Sequence, residues 1–259
     1  MERFTNHYNS IKRNQGGFTL LELSISLLII GVLLGGILLG ANLIDNARVV
    51  GSVKDMQDIQ LAVRAFEDRY NARPGDFRRA VGSIPGCDAT TNCANGDGNG
   101  FIASTGADDH NWDSKIVGTP FEAEATQAWK HLALADMLSG IEPAAGTANP
   151  DWKETHPEGQ FGGGYEIYYD RVLGPERGGH VIRYTQNGLD AANPTTGGLD
   201  PAKASQIDRK LDDGNANAGY ITADYGQVNN NCKTTVGNNG DYDEDQRSST
   251  CVLFFKVTR

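Results

Sequence analysis

Positive charge is scarce in this sequence: 23 Lys and Arg stand against 33 Asp and Glu, a formal net charge of -10 over 259 residues. Binding to phosphate backbones rests on clustered Lys and Arg, so no direct nucleic-acid binding is expected. Basic surfaces and calcium suit this charge better. Catalytic signatures are also missing. There is no Gly-x-Ser-x-Gly elbow, no His-Glu-x-x-His helix and no Walker loop, and Gly162-Gly163-Gly164 stands before an expected strand rather than before a helix. The chain is therefore not expected to be an enzyme. Long apolar stretches are limited to one, and the mean hydropathy of -0.44 is that of a mostly polar protein, which excludes a polytopic membrane protein.

Cysteine is used sparingly too. The four fall as Cys87 with Cys93 and Cys232 with Cys251, each pair bounding a short polar stretch, the second of them holding Gly237-Asn238-Asn239-Gly240. Neither has CxxC spacing and no histidine stands beside a pair in a ligand pattern, which argues against zinc. An even count in a polar body reads as two disulfides in an oxidising compartment. Sequence proximity favours these two pairs among the three pairings that four cysteines allow.

The one apolar run extends from Phe18 to Ala41, close to the ~20 residues a helix needs to cross a hydrocarbon core of about 30 Å. Glu22 is the only charge inside it. A carboxylate in a span is unfavourable by about 2.5 to 3.5 kcal/mol on insertion scales, so it points to a function and to a partner. Arg3, Lys12 and Arg13 precede the run and Asp45 follows it, which keeps the N-terminus cytoplasmic and sends the bulk outward. That orientation agrees with an oxidising compartment for the cysteines.

The order of segments is informative. In a secretory signal the apolar core precedes a small-residue cleavage site, whereas here the small pair Gly16-Gly17 comes first. Cutting after Gly17 would leave the span on the mature chain with Phe18 at its N-terminus. Removal of Arg3, Lys12 and Arg13 together with Glu2 takes away a net +2, leaving -12.

Lys12, Arg13, Gly17, Phe18 and Glu22, with the adjoining run to Ala41, resemble the prepilin-type signal of type IV pilins and type II secretion pseudopilins. The resemblance implies a basic leader, residues 1–17, cut between Gly17 and Phe18 by a prepilin peptidase that also methylates the Phe18 amine. It implies that Glu22 neutralises the N-terminal amine of a neighbouring subunit during assembly. The implied partners are the peptidase/methyltransferase, other pilin or pseudopilin subunits, assembly-platform proteins and the bacterial cytoplasmic membrane. The implied fold is α+β: a long N-terminal helix packed on an antiparallel sheet, with large loop insertions. The Cys232 to Cys251 segment would correspond to the family's disulfide-bounded loop.

The residues give the same division. Residues 18–41 suit a membrane or filament core, and Gly31, Gly35, Gly36 and Gly40 make small-xxx-small spacings there. Over residues 42–73 the pattern turns amphipathic, with Val49, Val53, Met56, Ile59, Val63, Phe66 and Tyr70 at steps of three and four. A helix from about Phe18 to Asn71 should end at Pro74-Gly75. Residues 74–259 are expected to form an extracytoplasmic body. In it a large loop runs to about Pro120, helices cover Phe121 to Leu138 and the stretch after the cap pair Asp200-Pro201, and strands cover Glu166–Tyr169, His180–Tyr184, Tyr220–Ala223 and Val252–Val257.

Two acidic stretches are candidate calcium ligands. Asn95, Asp97 and Asn99 followed by Gly100 match the first half of an EF-hand-like loop, where oxygens at alternate positions wrap a cation. The twelfth position falls on Gly106, so Asp108 or Asp109 would have to replace its bidentate carboxylate. Asp241, Asp243 and Asp245 alternate within the second cysteine pair, a region where some pseudopilins carry calcium. A different class of function remains open: a membrane-anchored extracytoplasmic binding protein or enzyme that shares only the anchor, with these loops holding calcium or a ligand.

Overall fold

A computed structural model describes residues 17–91, 93–102, 124–144, 152–170, 179–186, 197–223, 232–234, 240–248 and 251–257. The expected leader before Gly17, the start of the second helix at Phe121, and Gly106, Asp108 and Asp109 lie outside the described residues. The chain divides into two compact units, Met1–Asn46 and Ala47–Arg259.

Helix α1 spans Leu20–Tyr70. It ends three residues before Pro74 could force it to, because Asn71 takes a left-handed conformation (φ 49) with its N–H on the Glu67 carbonyl. Asn tolerates that region better than most residues and serves as a helix stop. Within the second unit, Val49, Ser52, Met56, Ile59, Ala62, Val63 and Phe66 are buried. These positions fall on one helical face. Leu61, on another face, is 62% exposed.

The sheet has four antiparallel strands, β1 (Gly164–Asp170), β2 (Gly179–Thr185), β3 (Ile221–Ala223) and β4 (Leu253–Lys256), in the order β1-β2-β4-β3. Alternation assigns its faces. Tyr165, Ile167, Ile182, Tyr184, Leu253 and Phe255 join the α1 stripe in the main core, while Tyr168, Val181, Val252 and Phe254 form a smaller cluster. Glu166 and Arg183 are register partners, both nearly sealed from solvent and joined at 2.6 Å. A one-residue slip of β1 would carry the carboxylate to the main core face, so this pair opposes misregister.

Two further helices close the core. Helix α2, Glu124–Leu134, buries Ala128, Trp129 and Leu132. It stops short of the expected Leu138 because Asp136 is left-handed (φ 58), the Asp136 N–H binds the Ala133 carbonyl and the Met137 N–H binds the Leu132 carbonyl. That is a Schellman closure with Asp in the position usually held by glycine. Helix α3, Pro201–Leu211, starts as its sequence implies: the Asp200 side chain accepts from the Lys203 N–H at 2.8 Å and Pro201 occupies the first turn.

The stretch after α1 is less loop-like than its composition. His131 of α2 accepts a hydrogen bond at Nδ1 from the Gly75 N–H (2.9 Å), and its Nε2 faces the Ala94 carbonyl at 2.9 Å. One ring therefore ties two loop segments to the helix. Burial lowers its pKa to about 4, and burial likewise lowers His156 and His180 to about 3.

Two stability measurements test this arrangement. Phe66→Ala removes a fully buried ring and should destabilise the body by about 3–5 kcal/mol, whereas Leu61→Ala should stay within about 0.5 kcal/mol, as read by guanidinium unfolding followed through tryptophan fluorescence. Acid should weaken the fold through the three histidines. Their folded pKa values lie below the unfolded value, so the stability present above pH 6.5 is lost as pH falls toward 4. Asp208, raised to about 7 by burial, acts in the opposite sense between pH 7 and its ordinary value of 3.8. Unfolding near pH 5 should therefore take up about one proton fewer in His131→Gln than in the wild type.

Candidate assembly site on the N-terminal helix

In the unit Met1–Asn46, the large apolar side chains from Phe18 to Ile44 are at least 50% exposed. Helix α1 is the one helix among the described residues long and apolar enough to cross a membrane. A Cβ added at Gly31, Gly35, Gly36 or Gly40 would meet nothing within 4 Å. Within this unit their small size thus makes room for no side chain among the described residues.

Glu22 is not without a partner in the single chain. Its Oε2 accepts from the Thr19 N–H at 3.0 Å and from Thr19 Oγ1 at 2.9 Å, while the Glu22 N–H lies 3.2 Å from Thr19 Oγ1. Thr19 and Glu22 form a capping box at the start of α1, with the carboxylate turned back onto the backbone before the first helical residue. The carboxylate thus has hydrogen-bond donors within its own chain, though no opposite charge among the described residues. The signal was present as Thr-x-x-Glu before an apolar run, and it adds Thr19 to the residues at this site. Ser24 and Ser26 satisfy their hydroxyls on the Leu21 and Glu22 carbonyls, both at 2.8 Å. The polar side chains at this end of the run are thus bonded within the helix itself. Gly17 and Phe18 lie before α1 and are exposed, so the peptide bond between them is not held in helical hydrogen bonding.

The cysteines form two disulfides, Cys87 to Cys93 and Cys232 to Cys251. His131 lies within 4.8 Å of both sulfurs of the first pair, a proximity invisible in their sequence spacing. The sulfurs are bonded to each other and both ring nitrogens have backbone partners, so this cluster offers no metal ligand.

The candidate calcium residues are placed unevenly. Asn95 Oδ1 accepts from the Val81 N–H at 2.8 Å and Asn99 Oδ1 from the Phe101 N–H at 2.7 Å, so both serve the loop's own shape. Asp97 accepts from Asn99 and is the member of the three brought beside other carboxylates. Asp241, Asp243 and Asp245 are not drawn into any compact group of three acidic ligands among the described residues. Between them, Glu244 is bonded to Ser205 at 2.8 Å and to Arg209.

Against known proteins, residues 12–38 match the family described as the prokaryotic N-terminal methylation motif. No curated protein and no solved structure matches the chain. The motif implies processing by prepilin peptidase and assembly with pilin-type subunits in general, and it marks structural pilin-like proteins, which are generally not enzymes. A single-pass membrane anchor fits both the motif and the apolar helix. Motif, capped Glu22 and exposed apolar helix lead to one conclusion: this chain carries the prepilin-type signature of type IV pilins and pseudopilins on an α+β, pilin-like fold.

Proposed function

We propose that the chain is a structural subunit made as a prepilin and polymerised through its N-terminal helix into a type IV pilus or a type II secretion pseudopilus. Residues 1–17 are the leader and stay on the cytoplasmic side. Cleavage falls between Gly17 and Phe18, and the Phe18 amine is methylated. Residues 18–41 hold the subunit in the bacterial cytoplasmic membrane and later form the filament core. Residues 42–73 continue the helix into an extracytoplasmic body, residues 74–259.

The observation that carries this reading is the coincidence of the methylation motif with the first part of α1, whose large apolar side chains from Leu20 to Ile44 are exposed. Lipid covers such a surface before assembly and neighbouring helices cover it afterwards. Glycines with open space beside them favour the second state, since they let helix backbones approach closely. The new amine of Phe18 is adjacent to Thr19, whose N–H and hydroxyl already hold Glu22. In a filament the carboxylate exchanges this capping contact for, or shares it with, the amine of a neighbouring subunit. Pairing of opposite charges in a low-dielectric core then sets the axial register between subunits.

The test is the mature N-terminus of the protein purified from membranes that contain the peptidase. Mass spectrometry should find methyl-Phe18, and an intact Met1 would overturn the reading. Glu22→Ala should be cleaved and folded normally but should assemble at least 10-fold fewer filaments. Filaments at wild-type yield from that variant would refute the role given to Glu22.

A further inference from the structure

Asp76, Asp97 and Glu124 come from three separate stretches of chain, and one carboxylate oxygen of each lies within 4.8 Å of the others. The framework around them is tight. Gly75 is left-handed (φ +86), and a Cβ there would stand 2.3 Å from the Glu124 carbonyl oxygen. A Cβ on Gly96 would fall 2.2 Å from the Gly75 oxygen. Glu124 Oε1 accepts from the Asp97 N–H at 2.8 Å, and Asp76 Oδ2 accepts from the Gly100 N–H at 2.9 Å. Gln127 and His131, one and two turns along α2, hold Ala94 and Gly75. The three carboxylates are thus positioned by rigid neighbours.

Loop bonding explains Asp76 Oδ2 and Glu124 Oε1, but it leaves Asp76 Oδ1 unexplained. Asp76 is 6% exposed, and its Oδ1 is buried with no hydrogen-bond partner among the described residues. Such an oxygen is unfavourable unless something positive faces it. Among the described residues, no Lys, Arg or His forms an ion pair with Asp76 or Asp97. The nearby arginines bond elsewhere, Arg78 to Asp97 O at 2.7 Å, and Arg73 to Gly100 O and, at 3.4 Å, to the Glu67 carboxylate. Asp97 brings a second carboxylate beside this buried one, and a bound cation would relieve both the burial and the repulsion.

We propose that Asp76, Asp97 and Glu124 bind one calcium ion, which clamps residues 75–76 and 96–100 to the N-terminal end of α2. The donors are all oxygen, which selects a hard cation. Calcium accepts six to eight oxygens in flexible geometry and completes its shell with carbonyls and water, whereas magnesium demands a near-ideal octahedron that an irregular loop does not supply. The partial positive charge of the helix terminus works against a cation at Glu124, so affinity in the range of extracellular modules, about 10⁻⁴ to 10⁻³ M, is expected. The site is independent of whether the chain forms filaments.

The test uses the full chain in detergent micelles after removal of divalent ions with EGTA. Calcium chloride at about 10 mM should raise Tm by about 3–10 °C, and titration calorimetry should show one site per chain. Magnesium at the same concentration should give less than half that shift. Asp97→Asn, at an exposed position, should weaken binding at least 10-fold. Asp76→Asn should abolish the calcium shift while leaving Tm without calcium unchanged or higher, a result that loss of a merely structural carboxylate would not give. Asp243→Asn, in the second cysteine loop, should retain the shift. No calcium shift in the wild type, an equal shift with magnesium, or a shift that survives in both Asp97→Asn and Asp76→Asn would each overturn the proposal.

Discussion

The body depends on one contact: the apolar stripe of α1 from Val49 to Phe66 packed in a common core with the inner face of the sheet. An isolated four-stranded sheet with Tyr165, Ile167, Tyr184 and Phe255 on one face would expose a large apolar surface to water. The stripe removes that surface from solvent, and a helix is stabilised by such packing far more than by its own propensity. Gln60 adds direction to the contact, donating to the Tyr220 hydroxyl at 2.9 Å and to the Lys256 carbonyl at 3.1 Å. The remaining helices follow from this arrangement. α2 and α3 contribute Trp129, Leu132, Ala204 and Ile207 to the same core.

The first part of α1 obeys a different constraint. Its apolar residues have no inner face to fill, so what matters there is how the few polar groups are satisfied without water. Thr19 with Glu22, and Ser24 and Ser26 with the carbonyls behind them, meet that need inside the helix. The capping box gives Glu22 a second meaning. It closes the start of α1 and also holds the carboxylate against Thr19, the neighbour of Phe18 in the chain. A carboxylate already oriented by two donors loses little freedom when a cation arrives.

Much of this was legible along the chain because the signals were local. The period of the α1 stripe, the Asp200-Pro201 start of α3 and the four strands are patterns of neighbours within a few residues. The end of α2 was misplaced for an equally local reason, while that of α1 fell within one residue of its expected place. Pro74 and Gly140 are the conventional stops, but Asn71 and Asp136 adopt the left-handed conformation first. Around Asp97 the contacts are not local: the Asn95 and Asn99 side chains close turns, while the carboxylates that meet Asp97 come from Asp76 and Glu124.

The sequence by itself determined the prepilin-type signature, the position of the apolar helix, the α+β class and the pairing suggested by neighbouring cysteines. These are encoded in residue identity and short spacing, and no long-range contact is needed to read them. Tertiary structure alone decided which face of each strand meets α1, that His131 ties Gly75 and Ala94 to α2, and that three carboxylates distant in sequence share one corner. Those outcomes depend on close approaches through Gly75 and Gly96, where a single Cβ would collide with backbone. Spacing along a chain carries no record of such distances, because they exist only once the core has brought the segments together.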